Sequence, residues 1–335
     1  AAILTGKYGH RNGVTWNRNT NFDGSQQTFP KILRKNGYQT AIIGKWHLAS
    51  VPTGFDYFDV MKGQGRYYNP FLQRGNAEGL QDTRTVVGYN SDIVGDLTIE
   101  WLKNGRDKSK PFMLMSQFKA THHGFCPGPE EYDLYDDVHI PEPDNLFDDF
   151  SYRGTAIREQ TLTLYKNLSH GILVGDPGEL GKLNPKQRKA WNAYRSKFSK
   201  PFQAMNLNWN DQNRELSRFK YQALLKNFLA AGAGIDKNVG RIRAFLQEND
   251  LADNTIVIYM ADHGFFLGEH GFFDKRFMYE ESFRTAFIVH WPGQVEAGVV
   301  NDQDIVSNID IASTFLDIAG IEIPQEIQGK SMVPV

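Results

Sequence analysis

An α/β fold, with a large mostly parallel or mixed sheet between helices, is the class that this sequence predicts. Short apolar segments of strand length alternate with longer segments that carry apolar residues at helical spacing. Such alternation is typical of a sheet that helices cover on both faces. With 335 residues, 40% of them hydrophobic and 13% aromatic, the chain can also build a sizeable core. We therefore expect one large α/β domain or two average ones.

The individual elements rest on periodicity and on start and stop signals. Apolar runs of four to seven residues indicate strands, and spacing such as that of Ile93, Val94 and Leu97 indicates a helix. In chain order, the predicted elements are a helix over residues 29–36, a strand over 39–43, a helix over 91–102 capped by Ser91 or Asp92, a strand over 112–118, two helices within 214–249 broken near 231–234, strands over 255–260 and 287–290, and a helix over 309–318 closed by Gly320.

Two polar segments interrupt this pattern and are predicted to be rich in loops. They are residues 51–82 and residues 123–214. The size of the second segment suits an insertion on the substrate side of the molecule, although a solvated connector is an alternative interpretation.

Composition excludes several classes of protein. The chain has 37 Lys and Arg against 39 Asp and Glu, so it lacks the basic excess of a typical nucleic-acid binder. Apolar runs such as residues 255–261 are far shorter than the roughly 20 residues of a transmembrane helix. Cys126 is the one cysteine, which excludes an intrachain disulfide framework and a Cys-rich zinc site.

Ionisable residues follow three of the predicted strands. Lys45 and His47 come after the first of these strands, His122 and His123 after the second, and Asp262 and His263 after the third. Ligands of open α/β sheets bind beyond the carboxyl ends of the strands. A shared site is one interpretation of this pattern, and strands that simply emerge into water are the other.

Each of these pairs has a chemical and a structural interpretation. Lys45 and His47 flank Trp46 and suit an anionic substrate, with lysine as a point charge and histidine as an acid or base; alternatively, His47 packs against Trp46. Asp262 and His263 suit half of a metal site. Alternatively, Asp262 is a helix N-cap and His263 is a solvated histidine beside it. The chain contains neither a Gly-x-Ser-x-Gly elbow, nor a Walker A loop, nor a dinucleotide fingerprint.

Several motifs resemble those of the type I, formylglycine-dependent sulfatases. Residues 37–47 (GYQTAIIGKWH) match the second signature of that family, and residues 1–8 (AAILTGKY) resemble the tail of the first signature. Residues 261–264 (ADHG), 268–271 (GEHG) and 275–284 (KRFMYEESFR) resemble the family's metal-and-lysine segment. Residues 329–331 (GKS), near the end of the chain, are also similar to the family. The resemblance covers nearly the whole chain, with the motifs in the family's order.

This resemblance implies an alkaline-phosphatase-like α/β fold and a set of roles. Lys45 would bridge the formylglycine and a sulfate oxygen, and His47 would hold the formylglycine hydrate and take its proton. Lys275 would bind sulfate, and His122 would be the general acid for the leaving group, with His123 as the alternative. Asp262 and His263 would be two ligands of one divalent cation, usually Ca²⁺. Positive groups of this kind neutralise charge on a transferring sulfuryl group.

The resemblance also implies that residues 1–335 are a sulfatase catalytic domain without its first segment and its small C-terminal subdomain. The Cys or Ser that becomes formylglycine, and the Asp pair that completes the metal site, would lie before Ala1. A formylglycine-generating enzyme would then be a maturation partner. Export to the periplasm, the medium or a lysosome-like compartment is the implied localisation.

Three segments narrow the expected substrate to sulfated sugars. Residues 52–57 (PTGFDY), 63–70 (GQGRYYNP) and 273–282 (FDKRFMYEES) look most like those of N-acetylglucosamine-6-sulfatases and related glycan sulfatases. The alternatives are a phosphodiesterase or phosphonate monoester hydrolase of the same superfamily, and a non-catalytic protein that binds sulfated glycans.

Overall fold

The computed structural model describes residues 1–16, 21–175 and 177–333. The strands are β1 (Gln39–Trp46), β2 (Tyr57–Lys62), β3 (Phe71–Asn76), β4 (Gly79–Thr85), β5 (Phe112–Gln117), β6 (Val257–Met260), β7 (Phe266–Leu267), β8 (Phe273–Asp274) and β9 (Phe287–His290). The α-helices are α1 (Ala2–Thr5), α2 (Gly9–Asn12), α3 (Phe29–Lys35), α4 (Asn90–Glu100), α5 (Thr155–Arg158), α6 (Leu164–Asn167), α7 (Gly171–Val174), α8 (Pro177–Leu180), α9 (Pro185–Ala204), α10 (Arg214–Glu248), α11 (Glu280–Phe283) and α12 (Asp310–Ile318). Short 3-10 segments occupy Pro129–Glu131, Ala252–Asn254 and Glu269–Gly271, and a π-helical segment, Trp101–Gly105, follows α4.

The chain divides into two compact units. Unit 1 consists of residues 1–119 and 297–335, and unit 2 consists of residues 120–296. The assignment of residues 1–335 to one catalytic domain stays a prediction.

Unit 1 is built on a mixed five-stranded sheet. Its strand order is β4-β3-β2-β1-β5, with β1 parallel to both β2 and β5 and with antiparallel pairing from β2 to β4. The apolar run at Ala41, Ile42 and Ile43 is fully buried, because β1 is a central strand with neighbours on both sides.

Helices cover both faces of this sheet, as the sequence predicts. Helices α3 and α12 pack on the face that carries Ile42, Phe58 and Val60, where Phe29 and Leu316 join the same core. Helix α4 packs against β1 and β5, and its Thr98 hydroxyl lies 2.8 Å from the hydroxyl of Ser116. Ser116 is paired in register with Ile43, one residue along from Ile42, so α4 lies on the opposite face.

The prediction of a loop over residues 51–82 is wrong, because β2, β3 and most of β4 lie there. Their polar residues form part of the sheet: Asp59 is fully buried, and its carboxylate pairs with Arg74 at 3.1 Å and with Arg84. A buried ion pair between neighbouring strands interrupts the apolar alternation by which a strand is identified in sequence.

Unit 2 is dominated by α10, and two predictions about this unit are wrong. Helix α10 continues through the Ala-Gly stretch where a break was predicted, because Ala231 and Gly234 are buried packing positions. Helix α9 lies within the segment that was predicted to be rich in loops. It begins at a capping box, in which the Asn184 side chain accepts from Gln187 N and the Gln187 side chain accepts from Asn184 N.

Three smaller predictions also need correction. Strands β6 and β9 were expected to be buried, yet Tyr259 is 39% and Ile288 is 61% exposed, and within the described residues the two strands pair only with each other. The N-cap of α4 is Tyr89 rather than Ser91 or Asp92. Across the described ranges, none of the helices combines the length and the apolar character that a membrane span requires.

Candidate active site

Lys45 and His47 lie at the carboxyl end of β1. The strand extends through Trp46, whose side chain is buried, donates to the Ser50 carbonyl at 2.6 Å and packs edge-on against another ring. Lys45 is half-buried and His47 is exposed. Because Trp46 points into the core, its two neighbours are turned away from it.

Gly44 sets the position of Lys45. Its φ of +106° is in the region that favours glycine, and an added Cβ would lie 2.0 Å from the Gln117 carbonyl oxygen of β5. The backbones of β1 and β5 thus approach each other closely just before Lys45. This contact explains the need for glycine in the Gly-Lys-Trp-His sequence.

Gln64 is a neighbour of this strand end that sequence reasoning did not single out. Its side-chain amide lies 3.4 Å from His47 Nδ1, and its backbone carbonyl accepts from Lys119 Nζ at 3.2 Å. Lys119 comes shortly after β5, and its side chain is buried, with 4% exposure. Its Nζ lies 4.8 Å from the ring centroid of Tyr67. Gln64 therefore connects the residue after β1 with the loop after β5.

His122 and His123 lie on an irregular loop of unit 2. His122 is half-buried, whereas His123 is exposed and packs against Phe125 at a centroid distance of 5.6 Å. Phe125 in turn contacts Phe265, close to Asp262 in sequence. The choice between His122 and His123 as general acid stays a prediction. Cys126 is buried, and its thiol donates to the Gly124 carbonyl at 3.2 Å.

Asp262 and His263 come together just after β6. His263 Nε2 lies 3.5 Å from Asp262 Oδ1, and the Asp262 side chain is 76% exposed. His263 Nδ1 is 2.7 Å from the Gly264 carbonyl oxygen, so this nitrogen carries the proton and Nε2 can present a lone pair. Metal-binding histidines commonly donate their second nitrogen in this way. These two residues therefore fit half of a cation site.

Among the residues that the structure describes, further ligands for such a cation are not gathered around this pair. Within residues 1–16, 21–175 and 177–333, no group of three or more His, Cys, Asp or Glu side chains is arranged to hold a metal ion. The assignment of Asp262 and His263 as two ligands of a cation stays a prediction.

Lys275 directly follows β8, the second strand of a short hairpin with β7. Its Nζ lies 3.4 Å from Asp274 Oδ1, and both side chains are mostly buried, with 17% and 16% exposure. Asp274 has a φ of +71°, so the backbone bends sharply before the lysine. Within unit 2, the structure thus gives Lys275 an acidic neighbour and places Asp262 beside His263.

With this geometry established, the similarity of the chain to known proteins can be placed. Residues 1–321 match the family model described as Sulfatase. The chain belongs to the sulfatase family. The resemblance identified from the sequence motifs is thereby confirmed.

Two relatives of this sulfatase chain are N-acetylglucosamine sulfatases. The chain is 40% identical to an N-acetylglucosamine-6-O-sulfatase of Bacteroides thetaiotaomicron, in an alignment that covers 100% of this chain and 61% of the relative. It is 24% identical to the N-acetylglucosamine-6-sulfatase of Homo sapiens, covering 100% of this chain and 55% of that protein. The sulfatase chain therefore spans a little over half the length of these relatives.

Solved structures confirm the fold of the sulfatase chain. A protein solved in complex with its substrate D-glucosamine-2-N,6-O-disulfate superposes with a TM-score of 0.92 at 39% identity, covering 100% of this chain and 69% of that one. A phosphonate monoester hydrolase from Silicibacter pomeroyi has a TM-score of 0.63 at 20% identity and shares the fold, with 100% and 65% coverage. The predicted alkaline-phosphatase-like α/β architecture is thereby confirmed.

Proposed function

We propose that the protein removes sulfate from a sulfated sugar, with 6-O-sulfated N-acetylglucosamine as the leading substrate. The observation that carries this proposal is the 40% identity, over the whole chain, to an N-acetylglucosamine-6-O-sulfatase. The structure that superposes with a TM-score of 0.92 supports it further, because it was solved with a 6-O-sulfated glucosamine.

The proposed roles assign each residue a task that its chemistry suits. Lys45 and Lys275 each place an ammonium group against the oxygens of the sulfate, where positive charge stabilises the transferring group. His47 accepts a proton through its imidazole. His122 donates a proton to the sugar oxygen as the ester bond breaks, with His123 as the alternative donor.

The proposal also requires a formylglycine and a divalent cation. When present, a formylglycine supplies the nucleophile, and a divalent cation, with Ca²⁺ as the leading candidate, neutralises sulfate charge. Asp262 and His263 would hold the cation, since Asp262 Oδ1 and His263 Nε2 lie 3.5 Å apart. The proposal also includes a formylglycine-generating enzyme as maturation partner and an exported location, and membership of the family supports both.

The test is a rate comparison with the full-length protein. N-acetylglucosamine-6-sulfate should release sulfate, and an aryl sulfate should react faster than the matched aryl phosphate. Lys45→Ala should lower kcat/KM about 10²- to 10³-fold, and His122→Ala about 10²- to 10⁴-fold. Lys103→Ala and His139→Ala, at exposed positions, serve as matched controls that should retain activity.

Two results would contradict the proposal, and a third would decide between its two candidate acids. A dominant phosphate rate would favour the phosphodiesterase or phosphonate hydrolase alternative. Glycan binding without sulfate release, unaffected by Lys45→Ala, would favour the non-catalytic binder. If His123→Ala abolishes turnover while His122→Ala leaves it intact, the general acid is His123 rather than His122.

A further inference from the structure

His270 forms a buried hydrogen bond that none of the proposed chemical steps uses. It lies in the turn between β7 and β8, with its Nδ1 2.7 Å from Asp148 Oδ2. Both side chains are largely buried, with 16% and 13% exposure. Since a carboxylate can only accept, Nδ1 is the donor. The other ring nitrogen, Nε2, lies 3.9 Å from Glu281 and within 3.4 Å of the Asn145 amide.

Asp148 is itself held by a second donor, which bonds the same carboxylate oxygen as His270. Arg153 donates to Asp148 Oδ2 at 3.3 Å and to the Tyr279 hydroxyl at 3.3 Å. The Tyr279 ring closes the network, because its centroid lies 4.9 Å from that of His270. His270 is therefore connected to a braced carboxylate rather than to a mobile surface acid.

The turn that carries His270 is also docked closely through its glycines. A Cβ on Gly271 would lie 2.7 Å from the Leu146 carbonyl oxygen, and one on Gly268 would lie 2.5 Å from the Tyr221 ring. His270 has a φ of +55°, a conformation that glycine and asparagine adopt more readily than most residues. In this conformation the His270 ring reaches Asp148.

The hairpin connects this anchor to Lys275. Leu267 and Phe273 pair across it in register, β8 ends at Asp274, and Lys275 comes next. The amide of Phe273 donates to the Leu162 carbonyl at 3.0 Å, which fixes the far side of the hairpin. A long lysine side chain has considerable rotameric freedom, so its ammonium is placed accurately only if the backbone beneath it is fixed.

We propose that His270 is a positioning residue that fixes the backbone of Lys275 through its hydrogen bond to Asp148. The proposal rests on the proposed function, in which Lys275 binds the sulfate. His270 itself does not touch the reacting atoms. Its removal should act by letting the β7–β8 hairpin move, which misplaces the lysine ammonium.

The test compares substitutions at His270 that separate the hydrogen bond from the backbone conformation. His270→Asn keeps both a donor near the position of Nδ1 and tolerance of positive φ, whereas His270→Gly keeps only the tolerance. With full-length protein and N-acetylglucosamine-6-sulfate, His270→Gly should lower kcat/KM about tenfold, and His270→Asn should restore activity to near wild type. Asp148→Ala removes the acceptor from the other side and should match His270→Gly. It also serves as the second variant if His270→Gly does not fold.

A double-mutant cycle shows whether the effect passes through Lys275. In a Lys275→Ala background, His270→Gly should cause no further loss of kcat/KM, because the group that it positions is gone. The same tenfold loss in both backgrounds would overturn the proposal, as would a His270→Asn variant as impaired as His270→Gly. If Lys275→Ala alone has wild-type activity, the sulfate-binding role of Lys275 fails, and the positioning proposal fails with it.

Discussion

At the scale of single residues, the lysines of this chain occupy two kinds of surroundings. Lys45 is the penultimate residue of β1 and Lys275 directly follows β8, and both keep part of their side chains exposed, as an ammonium that meets an anion requires. Lys220 is fully buried in the second turn of α10. Its Nζ donates to the Tyr165 carbonyl at 2.5 Å and lies 4.6 Å from the ring centroid of Trp209. This buried lysine therefore has a structural role, linking α10 to the segment around α6.

Lys220 should make the stability of the protein depend on pH in the alkaline range. Burial lowers the pKa of Lys220 from 10.5 to about 8, and the negative charge of Asp211 opposes this shift only in part. Between pH 8 and 10.5, unfolded Lys220 binds a proton that the folded form does not, so the free energy of unfolding should rise with pH in that window. We expect Lys220→Met to remove this contribution, measured as a flatter dependence of the urea midpoint on pH.

The comparison of Lys220→Met with wild type corrects for the other groups that titrate in the same range. Tyr221, whose pKa burial also raises, is retained in both proteins. Identical pH dependences would mean that Lys220 stays protonated in the folded protein. Lys226→Met, at a lysine whose ammonium donates to the Asp136 carbonyl near the surface, should leave the pH dependence unchanged.

The site residues that can be identified from the sequence are those that come shortly after a predicted strand. Lys45, His47, Asp262 and His263 follow recognisable strands, and the structure confirms that they lie at or just beyond strand ends. Gln64 and Asp148 were not singled out, because each meets its histidine across a long separation in sequence, 17 and 122 residues respectively. No periodicity or spacing rule encodes such contacts.

At the scale of elements, the sequence predicts the position of β1 but not its full length. The predicted strand ends with its apolar run at Ile43, whereas the strand in the structure continues to Trp46. Pairing with β2 carries the ladder on through Lys45 and Trp46. Tertiary pairing thus extends an element beyond its hydrophobic signal and fixes the backbone of the proposed catalytic lysine.

Replacing Gly44 should damage β1 more than replacing another glycine of similar conformation. Gly44→Ala would combine a φ of +106° with a Cβ only 2.0 Å from the Gln117 carbonyl oxygen. Gly37→Ala would have a φ of +90° with nothing within 4 Å. Left-handed strain alone costs about 1–3 kcal/mol. We expect Gly37→Ala to fall in that range and Gly44→Ala to exceed it, measured by urea denaturation.

Equal losses for the two variants would contradict the steric role of Gly44. Measurements of kcat/KM should separate the two variants as well. Because Gly44 precedes Lys45, Gly44→Ala should also lower kcat/KM in protein that remains folded, whereas Gly37→Ala should change stability only.

The elements that were predicted wrongly have identifiable physical reasons. Helix α10 was divided because an Ala-Gly stretch has weak helix propensity, yet buried small residues allow close packing there. Helix α9 was missed because its sequence is polar, although Asn184 followed three residues later by Gln187 is a recognisable capping box. Strands β2 to β4 were missed because Asp59 and its arginine partners replace the apolar residues by which buried strand faces are recognised.

At the scale of the whole molecule, each of the two units contains residues to which the proposed function gives a role. Lys45 and His47 belong to unit 1, and His122, Asp262, His263 and Lys275 belong to unit 2. A net charge of −2 gives no general attraction to anions. Affinity for a sulfated sugar must therefore come from local cations and, in the proposal, from a bound divalent ion.

Calcium should accordingly stabilise the full-length protein through Asp262 and His263. A ligand that binds only the folded state at 100 times its Kd adds about 2.7 kcal/mol to the free energy of unfolding. We expect Ca²⁺ to raise Tm in calorimetry and EDTA to reverse the increase. Asp262→Asn and His263→Ala should each reduce the Ca²⁺-dependent shift in Tm, whereas Asp253→Asn, at another exposed aspartate of unit 2, should retain it. Because this readout is thermal, it tests the ligands independently of turnover: an unchanged Ca²⁺ shift in both site variants would exclude these residues as the cation's ligands, even in an active sulfatase.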